Sequence, residues 1–284
     1  MKNNIAIITD STCDIPEETL NRYQIEVVPL TIIWGEEQFR DGVDLEAEAF
    51  YQRLEADPVL PSTSQPTPED FLQVCQRVRE QGAQEIVIMT ISRAMSGTYQ
   101  SARKAAERME IPVRVYDSRA NSMSLGWQVL AAARVREQGG GAEEMLAAAD
   151  RARKNMVYLV SLDTLKFLHK GGRIGGASSF IGTLLNLKPQ ISVNHETGEV
   201  EAERQSRTRK KALSDLYQDF LSHFPAPEGL RVAVLHNAAL EAAEELVEKL
   251  KEEVQPEEII LSIVSPILGV HTGPGAVALC GYPS

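Results

Sequence analysis

The sequence predicts an α/β fold of two domains, the first a mainly parallel sheet flanked by helices, the second an α/β unit with a mixed sheet. Three observations predict it. Through the first half, apolar runs of strand length alternate with helical stretches, an order that implies right-handed crossovers and parallel neighbours. In the second half this order gives way to a hairpin pattern, with His195-Glu196-Thr197-Gly198 as the turn between two strand-like segments. The length of 284 residues accommodates two modest domains. Residues 1–160 form the expected N-terminal domain and residues 161–284 the C-terminal one, with the boundary near Ser161.

Each element has a local reason. Ile5 to Ile8 is a continuous apolar run, as in a strand covered on both faces. Asp14 reads as an N-cap, with Pro16 in the first turn and Glu17 and Glu18 favouring the helix dipole. Ile25 to Ile33 is a second β-rich run, in which Pro29 marks an edge or an irregularity. Ala47 to Leu54 is helical, whereas the Pro-rich stretch Asp57 to Pro68 reads as a loop. Thr67-Pro68-Glu69-Asp70 starts the next helix by the same cap chemistry. Strands follow at Ile86 to Ile91, Val113 to Tyr116 and Val157 to Val160, the last closing the first domain. Helices fall at Gly97 to Met109, Leu125 to Glu137 and Ala142 to Lys154, the last two divided by Gly139-Gly140-Gly141. In the second half, helices are expected at Leu165 to Gly172, Ala177 to Leu187, Thr208 to Phe224 and Leu240 to Glu253. Strands there are expected at Pro189 to Val193, Glu199 to Arg204, Arg231 to His236, Ile259 to Val264 and Ala276 to Cys280.

Composition narrows the function classes. A net charge of −11 argues against nonspecific nucleic-acid binding by the whole surface. Cys13, Cys75 and Cys280 are scattered, so neither a disulfide framework nor a zinc site is indicated, and a reducing cytoplasm is expected. The five histidines show no metal-ligand spacing, so no metal and no cofactor is expected. No apolar run approaches the length of a membrane span, so no stable membrane insertion is expected. The segment Lys166 to Lys211 departs from the acidic background, with nine Lys or Arg against four Glu. It would draw a phosphate or a partner electrostatically, or form a solvated, ion-paired face.

Three segments carry the candidate site: Ser62-Thr63-Ser64-Gln65-Pro66, Met95-Ser96-Gly97-Thr98 and Gly269-Val270-His271-Thr272-Gly273-Pro274-Gly275. Each places hydroxyl or imidazole groups on a Gly- or Pro-shaped loop, suited to an anionic head group without a permanent positive charge at its centre. Asp10-Ser11-Thr12, Ser92 to Thr98 and Asp117-Ser118 end predicted strands, where ligands of open α/β sheets bind. Taken singly, Ser96 reads as a helix N-cap, Thr63 as a turn hydroxyl, and Asp10 and His271 as ordinary loop residues.

The segments occur in an order that resembles a known family. Ile7-Ile8-Thr9-Asp10-Ser11, Ser62 to Pro66, Ser96-Gly97-Thr98-Tyr99, Gly171-Gly172-Arg173-Ile174, Leu184 to Pro189, Arg207 to Ala212 and His271 to Gly275 resemble the DegV family from end to end. That resemblance implies a bacterial protein that binds a long-chain fatty acid in a tunnel between two α/β domains. It also implies presentation of the acid to a separate fatty acid kinase (DAK-like), whose acyl phosphate feeds phospholipid synthesis. By motif, Thr63 and Ser96 would bond the carboxylate, with a backbone donor near Gly97 and His271 close to the head group. Arg173 and Arg207 match positions associated with kinase docking or phosphate handling. Gln205 departs from the basic residue common two positions before Arg207.

The chemistry is consistent with that implication. Burying about fifteen CH2 groups at ~0.8 kcal/mol each gives on the order of 12 kcal/mol before association costs. The tail dominates affinity, and the head-group contacts serve mainly to avoid an unpaired buried carboxylate. Phe180, Ile181, Leu184, Leu185 and Leu187 are candidate tunnel residues, or plain core. The competing reading is a serine hydrolase or acyltransferase using Ser96 with His271. It lacks the Gly-x-Ser-x-Gly elbow, since position 94 is Ala94 and position 98 is Thr98. A nucleotide-binding domain is a third reading, without a glycine fingerprint or a Walker-A loop.

Overall fold

The structure is a computed structural model and describes residues 4–180 and 187–284. In chain order its elements are β1 (Ile5–Asp10), α1 (Glu17–Arg22), β2 (Ile25–Val28), β3 (Thr31–Trp34), β4 (Glu37–Arg40), α2 (Ala47–Ala56), β5 (Ser62–Ser64), α3 (Pro68–Glu80), β6 (Glu85–Thr90), α4 (Thr98–Ala106), β7 (Val113–Asp117), α5 (Ser122–Glu137) and α6 (Ala142–Lys154). They continue as β8 (Val157–Ser161), α7 (Lys166–Lys170), β9 (Lys188–Val193), β10 (Val200–Ser206), α8 (Arg209–Ser222), β11 (Leu230–His236), α9 (Leu240–Glu253), β12 (Glu258–Ile263), α10 (Pro266–Thr272) and β13 (Val277–Pro283). Short 3₁₀ turns lie at Ser11–Cys13 and Gly175–Phe180.

The first sheet is parallel throughout, in the order β2-β1-β6-β7. The chain steps from β1 to one side and then crosses to β6 on the other. That reversal opens a crevice beyond the carboxyl ends of β1 and β6. Asp10 ties those ends together, its Oδ2 accepting from Ile91 N at 2.7 Å. The second sheet is mixed, in the order β10-β9-β8-β13-β11-β12 and antiparallel except for β11 with β12.

Tertiary pairing changes several expectations. Pro29 does not bend a single strand; the chain leaves the first sheet there, and β3 joins a separate three-stranded sheet, β4-β3-β5. The stretch expected as a Pro-rich loop therefore contains strand β5, because β3 supplies a partner for its backbone. Asp14 is not an N-cap. Pro16 occupies that position, and the Asp14 carboxylate instead accepts from Ser122 Oγ at 2.5 Å and Ser265 N at 3.0 Å. Thr67 does cap α3, in a reciprocal box with Asp70.

The boundary expected between residues 160 and 161 falls inside β8, whose neighbours are β9 and β13 of the second sheet. Helix α5 precedes that strand and packs against both sheets, reaching β1 and β6 on one side and β13 on the other. Its residues from Ser122 to Leu130 are all buried. Trp127 donates from Nε1 to Cys280 O at 3.2 Å and meets Tyr282 edge-on. One apolar cluster thus runs from Ile7 through Trp127 to Tyr158 and Tyr282, joining the two halves.

Candidate functional site

A chamber of about 510 Å³ lies at the carboxyl ends of β1 and β6 and extends to β8, β9 and α10. Its size falls in the ordinary range for small-molecule sites. Its apolar wall includes Leu30, Ile91, Val160, Leu168, Val193 and Leu268, and its polar groups include Thr63, Ser96, Arg173 and His271. Four of the candidate site residues therefore share one cavity. Phe180 and Leu187 do not line it, and Ile181, Leu184 and Leu185 lie outside the described residues.

Thr63 is the middle residue of β5 and pairs with Ile32 of β3. Strand alternation exposes Ser62 and Ser64 and turns Thr63 inward. His271 is not on a loop. It sits in the last turn of α10, whose first residue, Pro266, has a pre-set φ. Two buried carboxylates hold the start of this helix: Asp14 Oδ1 accepts from Ser265 N, and Asp41 Oδ1 accepts from Ile267 N at 3.1 Å. Tyr51 donates to Val264 O at 3.0 Å just before them.

These supports bring Thr63 Oγ1 to 2.9 Å from His271 Nε2. Burial first, and the nearby Arg173 charge second, push the His271 pKa down to about 4, so the ring is neutral near pH 7. Its Nδ1 is buried without a hydrogen-bond partner among the described residues. It lies against Gly171, where a Cβ would come within 2.2 Å of it. A proton on Nε2 makes His271 the donor to Thr63 Oγ1 and leaves the threonine proton for an anion. A proton on Nδ1 would orphan a buried donor and consume the threonine proton.

Ser96 does not occupy the N-cap of α4, which is Gly97. Its Oγ lies 2.8 Å from Thr98 Oγ1 and accepts from Thr98 N at 3.3 Å. Gly97 itself is not among the residues that line the chamber. Its lack of a side chain admits the Gln65 amide, since a Cβ there would lie 2.0 Å from Gln65 Oε1. Gln65 Nε2 in turn donates to Ser101 Oγ at 3.3 Å.

Arg173 brings a fixed positive charge to the exposed edge of the site rather than to its centre. It lines the chamber beside His271, with Nη1 donating to Gly171 O at 2.8 Å and Nε to Met95 O at 3.3 Å. It also borders a second cleft of about 270 Å³ that shares Thr63 and His271 with the chamber and adds Lys170. Arg207 is exposed and does not line the chamber. Within the basic segment, Lys188, Arg204, Arg209 and Lys211 form ion pairs with Asp163, Asp215 or Asp219. Lys170, Arg173, Arg207 and Lys210 have no ion pair among the described residues.

Fold and site together invite comparison with known proteins. A family model described as an uncharacterised protein of the DegV family matches residues 4–284. The chain belongs to the DegV family. A DegV-domain protein of Streptomyces coelicolor is 34% identical over 281 residues, spanning 98% of each chain. A fatty-acid-binding DegV-family protein of Thermus thermophilus superposes with a TM-score of 0.92 at 34% identity, over 99% of this chain and 100% of that one. DegV of Bacillus subtilis, a fatty-acid-binding protein, superposes with a TM-score of 0.90 at 29% identity, over 99% of both chains.

Several lining residues of this DegV-family chain had no sequence signal. Asn121 and Tyr158 reach the chamber only because α5 and β8 converge there, whereas Thr12 belongs to the strand-end segment Asp10-Ser11-Thr12 that the sequence did single out. Among the described residues, no group of His, Cys, Asp and Glu could hold a metal ion, and no helix is long and apolar enough to cross a membrane.

Proposed function

We propose that this chain binds a long-chain fatty acid, with the tail in the chamber and the carboxylate at Thr63, Ser96 and His271. The observation that carries the reading is one cavity with an apolar wall and, at the Thr63–His271 pair, a neutral donor set beside Arg173. The fatty-acid-binding relatives of the same fold support it. With Nε2 protonated, His271 polarises Thr63, whose hydroxyl then donates to the carboxylate. The backbone near Gly97 supplies the remaining donor. Arg173 adds charge at the mouth without a buried ion pair.

The wider role proposed is that of a cytoplasmic carrier with no catalytic centre of its own. It presents the carboxylate to a separate fatty acid kinase, and the acyl phosphate enters phospholipid synthesis. Arg207, exposed and without an ion pair among the described residues, suits contact with that partner, and Arg173 suits both lipid and phosphate. The hydrolase alternative has less support. Ser96 Oγ is paired with Thr98, His271 Nε2 with Thr63, and no carboxylate bonds His271 Nδ1 among the described residues.

Native mass spectrometry of the purified chain tests the binding role, a co-purified fatty acid being the expected result. A chain that neither carries nor takes up a fatty acid overturns it. For the carrier role, Arg207→Ala should leave lipid affinity intact and slow phosphorylation by the kinase; unchanged transfer rejects the docking assignment. Labelling of Ser96 by a fluorophosphonate would favour the hydrolase instead.

A further inference from the structure

A hairpin tip of the second domain, residues 194–199 between β9 and β10, reaches the first domain. Arg119 Nη1 donates to Glu196 O at 3.0 Å, Arg153 Nη1 donates to His195 O, and His195 Nε2 lies 2.7 Å from Ser124 Oγ. A further contact is buried: Ser92 Oγ donates to Gly198 O at 2.8 Å. Gly198 sits at φ 78°, and a Cβ on it would lie 2.1 Å from Ser92 Oγ, so the absent side chain is what lets the two segments meet.

Ser92 is fully buried and also holds the loop that carries Ser96. Its Oγ accepts from Ala94 N at 3.2 Å, and its carbonyl accepts from Met95 N at 3.0 Å and Ser96 N at 3.1 Å. A hydroxyl has one proton and two lone pairs. Here the proton goes to the hairpin tip and a lone pair serves the first turn of the loop, so one side chain ties the second domain to the segment that presents Ser96. Ser96 lines the chamber and Ser92 does not. Any effect of Ser92 on a ligand therefore passes through its neighbours.

We propose that Ser92, bridged to Gly198 O, is a positioning residue that sets Ser96 for the carboxylate, so that the second domain's hairpin completes a donor carried by the first domain. This rests on the head-group assignment above and deepens it. A buried serine that only glues two segments together would support the fold alike for every ligand. A serine that aims Ser96 matters for a charged head group and not for the tail.

The test is dye-displacement titration of the delipidated full chain with palmitic acid and with palmityl alcohol, which has the same tail and no charge. Ser92→Ala should weaken palmitate about tenfold and leave the alcohol within about twofold. The Arg119 and Arg153 bonds keep the hairpin seated in this variant, and alcohol binding reports that it is folded. Ser92→Ala combined with Ser96→Ala should bind palmitate no more weakly than Ser96→Ala alone, because the two changes remove one interaction. Gly198→Ala, which pushes the Ser92 hydroxyl aside from the hairpin, should reproduce the selective loss of the acid. Equal losses for acid and alcohol, additive losses in the double variant, or an unaltered Ser92→Ala beside a weakened Ser96→Ala would show that Ser92 is structural only, and the fatty-acid reading would stand. If Ser96→Ala binds palmitate as tightly as wild type, the head-group assignment fails and takes the positioning role with it.

Discussion

Thr63 Oγ1 and His271 Nε2 lie 2.9 Å apart although 208 residues separate them. The contact joins the middle of a short strand to the last turn of a short helix, and each depends on distant support. β5 is held by β3, and α10 by the carboxylates of Asp14 and Asp41. Thr63→Ala should weaken fatty-acid binding about tenfold or more, the cost of one hydrogen bond to a charged group. Thr63→Ser should retain most of the affinity. Equal dissociation constants for wild type and Thr63→Ala would reject Thr63 as a carboxylate donor.

His271 is neutral chiefly because it is buried, with Arg173 as the lesser cause. Arg173→Ala should therefore raise its pKa from about 4 only part of the way to the ordinary 6.5. An NMR titration of the imidazole carbons reads this directly. A return to 6.5 in the variant would show that charge, not burial, sets the value.

Asp41 and Asp14 predict an unusual pH response. Burial pushes Asp41 up to about 7 and Asp14 up to about 6, against a carboxylate value of 3.8. A raised folded pKa gives stability that is complete below the unfolded value and lost as pH climbs through the folded one. For Asp41 that window runs from about 4 to 7. Asp41→Asn keeps an oxygen for Ile267 N and cannot ionise. Its stability relative to wild type should rise by more than ~1 kcal/mol between pH 5 and pH 8 in urea melts. A constant difference across that range would show that Asp41 titrates normally.

Burial lowers the pKa of His195, like that of His271, to about 4. Here the sign is opposite: the unfolded ring takes up a proton below about 6.5 that the folded ring refuses, so stability falls as pH drops toward 4. His195 Nε2 lies 2.7 Å from Ser124 Oγ. His195→Gln should make the stability of the chain less sensitive to acid between pH 6.5 and 4.5, as followed by thermal melting. An unaltered acid slope would place the titration elsewhere.

Gly126 lets α5 approach the turn after β1. A Cβ there would lie 2.6 Å from Cys13 O, a backbone atom that cannot swing aside. Gly126→Ala should cost about 1–3 kcal/mol, measured by chemical denaturation, and should disturb the chamber wall at Thr12. An alanine variant as stable as wild type would mean that the two elements move apart freely.

Much of the fold could be read from local signals. Ala142–Lys154 and Leu240–Glu253 coincide with their expected helices, and Thr67 caps α3 as its hydroxyl and the following Pro and Asp require. The hairpin around His195 pairs β9 with β10 as the turn residues indicated. The expectations that changed were those that depended on a partner. Ser62–Ser64 looks like loop until β3 lies beside it, and Val157–Ser161 looks like the last strand of the first sheet until β13 and β9 claim it.

The sequence alone determined the alternation of strands and helices, the parallel first sheet and the family, because periodicity, caps and motif order are local properties of the chain. Only the tertiary structure decided that β8 belongs to the second sheet, that His271 is helical and bonded to Thr63, and that Arg173 borders the chamber. It also decided that the hairpin tip meets the first domain, where Gly198 O accepts from Ser92 Oγ. Each of these depends on packing between segments far apart in the chain, where burial and the supply of hydrogen-bond partners override local preference.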